Sequence, residues 1–104
     1  YLASRVALDN VCCLADYYHI ASNGESCKSV SAFSEWVGHC HIACPNNRTC
    51  PLPGVWDYSP FFDALKESGY QERISIECSE TNWEKEAGRA LDFLKSCVKN
   101  QRAV

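Results

Sequence analysis

The sequence predicts an α/β fold in which short parallel strands alternate with helices. Apolar runs at residues 11–18, 39–43 and 73–77 have the length of strands, and a segment with helical spacing follows each of them. Each run also carries a side chain of the kind that binds metals: Asp16, His41 and Glu77. Because strand–helix alternation implies parallel pairing through right-handed crossovers, these side chains are expected at the carboxyl edge of one sheet.

The chain opens with the end of a helix and continues into the first strand. Apolar residues at positions 2, 3, 6 and 7 have helical spacing across residues 1–8, and the polar pair at 9–10 interrupts that helix. In the strand over residues 11–18, two-residue alternation places Asp16 on the same face as Leu14.

A helix and the second strand come next. Residues 26–37 have the spacing of an amphipathic helix of about three turns, and Gly38 is expected to end it. The residues expected to bury this helix are Val30, Phe33, Trp36 and Val37. In the strand over residues 39–43, His39 and His41 share one face because successive side chains alternate.

The residue pattern of the last part of the chain predicts two more helices with a strand between them. A loop precedes the first of these helices, and its prolines at positions 45, 51 and 53 exclude regular strands from it. Ser59 as N-cap, followed by proline, begins a helix that ends at Gly69. The strand over residues 73–77 alternates strictly, and Thr81 with Glu84 forms a capping box for the final helix. The apolar stripe of that helix consists of Trp83, Ala87, Ala90, Leu91, Leu94, Cys97 and Val98.

Length and charge limit the function classes. The 104 residues form a single domain, 1–104, that is shorter than the roughly 250 residues of a closed eight-fold barrel. A net charge of -3 and a pI near 5.5 argue against nucleic-acid binding. No apolar run has the length of a membrane span, and no signal peptide is evident. Because the chain starts at Tyr1 and contains no methionine, we expect it not to be a complete translated reading frame, and a processed secreted protein and a fragment of a larger enzyme both fit.

The eight cysteines are compatible with either an oxidising environment outside the cell or a reducing one in the cytoplasm. A processed secreted protein would use them in disulfides, so a secreted, disulfide-stapled binding module without catalysis is the alternative to an enzyme. However, four cysteines lie in strand-like runs and one on a helix face, where reduced cysteine behaves as a small buried hydrophobe. These five are Cys12, Cys13, Cys40, Cys78 and Cys97. We therefore expect reduced thiols and a cytoplasmic location.

Two carboxylates and an imidazole at neighbouring strand ends form a mixed oxygen and nitrogen site. Such donors suit manganese, cobalt, magnesium or zinc. Structural roles stay open for each residue. Asp16 can cap a helix or turn, His41 can be a hydrogen-bonded core histidine, and Glu77 can be a solvated strand terminus.

Several segments together resemble a known family. They are Ala15-Asp16-Tyr17-Tyr18-His19, Gly38-His39-Cys40-His41-Ile42-Ala43, Pro45-Asn46-Asn47-Arg48, Asp57-Tyr58, Ala64-Leu65-Lys66, Gly69-Tyr70 and Ile74-Ser75-Ile76-Glu77. The chain from residue 11 onward is similar to the carboxyl-terminal part of the xylose-isomerase-like TIM barrels. Within them it most resembles the sugar phosphate isomerase/epimerase and ketose 3-epimerase group. The resemblance implies the last three βα units, β6 to α8, of an eight-fold barrel that is incomplete on its own.

The resemblance also implies a divalent-metal site. In that family Mn²⁺, Co²⁺ or Mg²⁺ is held by Glu, Asp, His and Glu from successive strands, with Zn²⁺ less favoured. Asp16, His41 and Glu77 match the last three ligands, and the first glutamate is implied to lie upstream of this sequence. The resemblance assigns His19 and Arg48 to substrate oxygens. The alternatives are that His19 caps a turn and that Arg48 is a surface loop residue.

The activity implied by the resemblance is isomerisation or epimerisation of a small sugar or sugar phosphate. The proton next to a carbonyl is transferred through an enediolate, with Glu77 as one of two participating carboxylates. We expect the isolated chain to have no turnover, to bind metal weakly, and to associate with the rest of the barrel or with a second copy. Phosphodiester cleavage, as in the related endonuclease IV branch, is disfavoured by the acidic pI and by the lack of further ligands.

Overall fold

The computed structural model describes residues 1–79 and 82–102, and its strands and helices follow the predicted alternating order. In chain order, the helices and strands are α1 (Leu2–Val6), β1 (Cys13–Asp16), α2 (Tyr17–Ser22), α3 (Lys28–Ala32), a short 3-10 helix (Ser34–Trp36), β2 (Val37–Ile42), α4 (Ser59–Ser68), β3 (Ile74–Ile76) and α5 (Trp83–Arg102).

The strands form one parallel sheet in the order β1-β2-β3. Asp16 of β1 lies opposite His41 of β2, which in turn lies opposite Ser75 of β3. The ladder continues beyond β3, where the Glu77 N–H donates to the Ile42 carbonyl oxygen (3.0 Å). The register therefore brings the carboxyl ends of the strands to one edge of the sheet, as the sequence predicts.

The sheet buries one face against the helices. Cys40 and Ile42 of β2 are 0% exposed and belong to the core that α4 and α5 cover. Leu14 of β1 lies on the other face with Asp16, and its side chain is 52% exposed. Alternation along each strand thus separates a core face from the face that carries the predicted ligands.

An aromatic cluster joins α2, the loop before α4, and the two long helices. Tyr17 packs on Tyr58 and on Phe61, with ring centroids 5.6 and 4.9 Å apart, and Tyr58 also packs on Phe93 (5.9 Å). Trp56 donates a hydrogen bond from Nε1 to the Tyr17 hydroxyl (2.8 Å). Burial raises the pKa of Tyr17 and, more strongly, that of Tyr58. These contacts fix α2, and hence the end of β1, against the core.

The helix predicted over residues 26–37 is shorter than expected. The chain forms α3 and the short 3-10 helix there, and the last residue of the range belongs with Gly38 to β2. Of the residues expected to bury this helix, only Val30 is fully buried, and Phe33 is exposed. Gly38 therefore ends no helix. It lets β2 pass close to Cys12, because a Cβ at this position would overlap the Cys12 sulfur.

The first helical residue of α4 is Ser59, one position earlier than predicted, so Ser59 is not the cap. Asp57 instead accepts a hydrogen bond from the Ser59 N–H through Oδ1 (2.9 Å). Hydrogen bonds from Ser59 also hold the pKa of the Asp57 carboxyl below its usual value. Gly69 ends the helix in the left-handed conformation (φ 74°), as predicted.

The long helix α5 buries only part of its predicted stripe. Ala90 and Leu94 are buried, whereas Trp83 and Leu91 are exposed. The main contacts of α5 are with α4, and Leu91 lines a cavity between α5 and β3. The Thr81 half of the predicted capping box lies outside the described residues. No helix in the described part of the chain is both long and apolar enough to cross a membrane.

All eight cysteines are free thiols, and three of them, Cys40, Cys44 and Cys50, are buried. Burial raises the pKa of the Cys40 thiol. Burial together with the neighbouring Cys50 raises the pKa of Cys78 to about 11. These two thiols therefore stay protonated at neutral pH.

Candidate metal centre

Asp16, His41 and Glu77 meet at the carboxyl edge of the sheet. Each offers one ligand atom, and the three atoms lie within 4.8 Å of one another. The strand register explains this convergence, because Asp16 and His41 are directly opposed and Glu77 follows Ser75 on the same face. The structure thus brings together the three residues that the sequence predicts as ligands.

The two carboxylate oxygens of Asp16 have different partners. Oδ1 accepts a hydrogen bond from the His19 N–H (3.3 Å) and caps α2. Oδ2 lies 3.7 Å from His41 Nδ1 and 3.8 Å from Arg48 Nη2. The capping role and the ligand role that the sequence leaves open for Asp16 are therefore compatible, since they use different oxygens.

A second histidine packs beside His41 on the same face of β2. The ring of His39 meets that of His41 edge-on, with centroids 5.4 Å apart. His39 Nε2 is hydrogen-bonded to Ser75 Oγ (2.9 Å) on β3. The His39–Ser75 pair therefore ties two strands together directly beneath the ligand cluster and restricts the ring of His41.

Arg48 pairs with the acidic members of the cluster. Its Nη2 forms an ion pair with Glu77 Oε2, and the same nitrogen lies 3.8 Å from Asp16 Oδ2. The guanidinium also lies over the ring of Tyr18, with Cζ 4.7 Å from the centroid, in a cation–π contact. Arg48 is thus a component of the site and not an unattached surface residue.

Backbone contacts of the loop after β2 hold Arg48 in place. The Cys44 N–H donates to the Thr49 carbonyl oxygen (2.8 Å), and the Arg48 carbonyl accepts from the Ser79 N–H (2.8 Å). Asn47 and Arg48 both have positive φ, 60° and 57°, which is uncommon for residues other than glycine. Such a conformation costs energy and persists only where surrounding contacts fix it.

His19 and Arg48, the predicted substrate-binding residues, line the same cavity as the three ligand residues. The cavity has a volume of about 610 Å³, which is in the size range of small-molecule sites. His19 is exposed on α2, and its ring packs edge-on against Tyr18 with centroids 5.2 Å apart. The structure therefore places both residues beside the cluster, and their contact with a substrate stays a prediction.

The donor set fits a divalent cation. Two carboxylates and one imidazole are suitable ligands for Mn²⁺, Mg²⁺, Co²⁺ or Zn²⁺. The guanidinium of Arg48 already acts as a cation toward Glu77 and Asp16, so these carboxylates are arranged to share one positive charge. Asp16, His41 and Glu77 are therefore the residues that would hold the ion.

Tyr18 is a site residue for which the sequence predicts no role. Its ring contacts both Arg48 and His19. No local pattern indicates the contact with Arg48, because Tyr18 lies on α2 and Arg48 lies in the loop after β2, and only the folded sheet brings the two together. The one sequence signal is its position immediately before His19.

Parallel strand–helix units with metal-type ligands at the carboxyl ends of the strands define an α/β protein of the kind that includes the TIM barrels. The chain belongs to the xylose isomerase-like TIM barrel family, whose family model matches residues 1–97.

Among curated proteins, the chain is similar to a Drosophila melanogaster protein named "Putative hydroxypyruvate isomerase", with 36% identity over 78 residues. That match covers 73% of this chain and 30% of the fly protein. The chain therefore spans about a third of its curated relative.

Solved structures of sugar epimerases have the same fold. An L-ribulose 3-epimerase superposes on 96% of this chain with a TM-score of 0.80 at 19% identity, which supports the fold alone. A 3-keto-D-glucoside 4-epimerase from E. coli and a D-allulose 3-epimerase from Methylomonas sp. each cover 90% of this chain, with TM-scores of 0.74 and 0.73 and identities of 26% and 27%. This chain covers 36–40% of these three structures. The relatives of the chain are thus isomerases and epimerases.

Proposed function

We propose that this chain contributes the metal centre of a divalent-metal-dependent isomerase or epimerase that acts on a small sugar or sugar phosphate. The proposal rests on the convergence of Asp16, His41 and Glu77 within 4.8 Å, in a chain whose family relatives are isomerases and epimerases. We further propose that residues 1–104 form one domain and correspond to the units β6 to α8 of the barrel. A fourth ligand, a glutamate from an earlier strand, would then lie outside this sequence.

A bound divalent ion would polarise the oxygens of a hydroxycarbonyl substrate and make the adjacent C–H more acidic. The side chains of this chain would do the rest. The Glu77 carboxylate would move the proton at that carbon. His19 and Arg48 line the cavity at positions suited to hydrogen bonds with substrate oxygens that gain negative charge. Asp16 and His41 would hold the ion in place.

Manganese titration tests the metal centre. Isothermal titration of the chain with MnCl₂ is expected to give weak, one-to-one binding that His41→Ala abolishes. Asp63→Ala is the control, because Asp63 is an exposed carboxylate on α4 and lies outside the cluster. Equal binding by wild type and His41→Ala would reject His41 as a ligand. Tight binding by the isolated chain would reject the assignment of a fourth ligand outside this sequence.

Solvent exchange tests the chemistry. In D₂O, ¹H NMR follows replacement of the C–H next to the carbonyl of hydroxypyruvate or of a ketose. Exchange by the chain assembled with the remainder of its barrel is expected to require Mn²⁺ and to stop in Glu77→Gln. Exchange that persists in Glu77→Gln would remove Glu77 from the proton-transfer step.

The partner and location predictions belong to the same proposal. The expected partners are a small-molecule sugar and either the remaining barrel segment or a second copy of the chain, with neither nucleic acid nor a membrane involved, and the expected location is cytoplasmic. Light scattering coupled to size-exclusion chromatography measures the association. The eight free thiols and the family assignment give no support to a disulfide-stapled binding module.

A further inference from the structure

Arg48 occupies the position of a cation in the ligand cluster. Its Nη2 contacts Glu77 Oε2 and lies 3.8 Å from Asp16 Oδ2. Both oxygens belong to residues that would bind the divalent ion, so the guanidinium neutralises charge that the ion would otherwise neutralise. A carboxylate oxygen committed to an arginine has less electron density to donate to a metal.

Several independent contacts direct the guanidinium to this position. The Tyr18 ring lies beneath it at 4.7 Å, and the left-handed backbone of Asn47 and Arg48 is fixed by the hydrogen bond from Ser79. One donor, the buried Nε of Arg48, has no hydrogen-bond partner among the described residues. A buried donor without an acceptor is unfavourable, so this arrangement leaves the guanidinium with capacity for another acceptor.

We propose that Arg48 is an internal counter-cation: it holds the Glu77 carboxylate in the metal-free protein and has to leave this carboxylate before a divalent ion binds there. Tyr18 is the platform that keeps the guanidinium beside the cluster. This inference rests on the proposed metal centre and goes beyond it, because it makes metal affinity depend on a residue that is not a ligand. A single positive charge a few ångströms from a doubly charged ion is also repelled by it.

Metal binding by an Arg48 variant tests the inference. Isothermal titration with MnCl₂, or electron paramagnetic resonance of the free Mn²⁺, gives the Kd of wild type and Arg48→Gln. We expect Arg48→Gln to bind about tenfold more tightly, equivalent to ~1.4 kcal/mol. Arg89→Gln is the matched control, since Arg89 is exposed on α5, and its Kd is expected to equal that of wild type.

Two substitutions of Tyr18 separate the ring from the charge. Tyr18→Phe keeps an aromatic face under the guanidinium, so its Mn²⁺ affinity should equal that of wild type. Tyr18→Leu removes the cation–π contact and is expected to tighten binding, by less than Arg48→Gln does. The rise in melting temperature on adding Mn²⁺ provides a second measurement and should be largest for Arg48→Gln.

The outcomes distinguish this inference from the proposed function. If Arg48→Gln binds Mn²⁺ no better than wild type, the counter-cation role is overturned and the metal centre stands. If neither protein binds Mn²⁺, the metal centre is overturned and the inference with it. Tighter binding by Arg48→Gln with an unchanged Arg89→Gln supports both.

Discussion

Substitution of Asp16 separates its two roles, because the structure assigns them to different oxygens. Asp16→Asn keeps a carbonyl oxygen that can accept from the His19 N–H, whereas Asp16→Ala loses the cap of α2. Loss of an N-cap costs about 0.5–2 kcal/mol, and the partly exposed pair with Arg48 at 3.8 Å contributes at most ~1 kcal/mol. In EDTA we therefore expect Asp16→Ala to lower the free energy of unfolding by about 1–2 kcal/mol and Asp16→Asn by less than ~1 kcal/mol.

Mn²⁺ is expected to affect the two variants alike, because both lose the ligand oxygen. At a free concentration tenfold above Kd, the ion is expected to stabilise the wild-type chain by about 1.4 kcal/mol, and both Asp16 variants should lose most of that gain. Urea unfolding followed by circular dichroism, with EDTA and with MnCl₂, gives the four free energies that are compared with wild type. If Asp16→Asn kept the full Mn²⁺ increment, Oδ2 would not be a ligand. If the two variants were equally unstable in EDTA, the capping assignment would be incorrect.

Three further predictions concern the fold. Gly38→Ala should lower the free energy of unfolding by roughly 0.5–1.5 kcal/mol, because its Cβ displaces the sulfur of the exposed Cys12 side chain. Cys12→Ala in the same chain should restore part of the loss, as measured by urea unfolding. The raised pKa of Tyr58 keeps its hydroxyl protonated in the folded chain, whereas the same hydroxyl ionises near pH ~10 in the unfolded chain. The contribution of Tyr58 to the free energy of unfolding is therefore fully present below that pH and is lost as the pH rises above it. Melting temperatures between pH 8 and 11 should fall less steeply in Tyr58→Phe than in wild type, and equal slopes would argue against this origin. Intact mass with and without reductant should be the same, whereas a gain of about eight hydrogens on reduction would indicate four disulfides.

The sequence predicts the strands and the ligand edge of this fold better than its helices. Two-residue alternation around His41 and at 73–77 depends on local pattern, and the parallel register that follows brings Asp16, His41 and Glu77 together. The helix over residues 26–37 is overpredicted because apolar spacing alone does not distinguish a helix from a 3-10 turn that enters a strand. Gly38 fits both a helix end and a close approach of strands, and only the tertiary structure identifies the second.

The site contacts around Arg48 could not be predicted from residue pattern. The resemblance of the loop sequence indicates that Arg48 belongs near substrate. Its pairing with Glu77 and its stacking on Tyr18 depend on how the loop after β2 packs against the end of β3 and against α2. No local periodicity predicts the buried Tyr17–Tyr58 contact either, since Tyr58 lies in a loop. Long-range side-chain geometry of this kind follows from packing and not from spacing.

The central position of β2 determines how the ligand cluster can come apart. β1 and β3 each pair with β2 within the sheet, so either outer strand can open locally without the other. Opening of β1 withdraws Asp16, opening of β3 withdraws Glu77, and His41 stays with the middle strand in both cases. An ion bound to all three residues would oppose the local opening of β1 and that of β3 at the same time. Amide protons of the two outer strands would then exchange with solvent more slowly by the same factor, although they lie on opposite sides of the sheet.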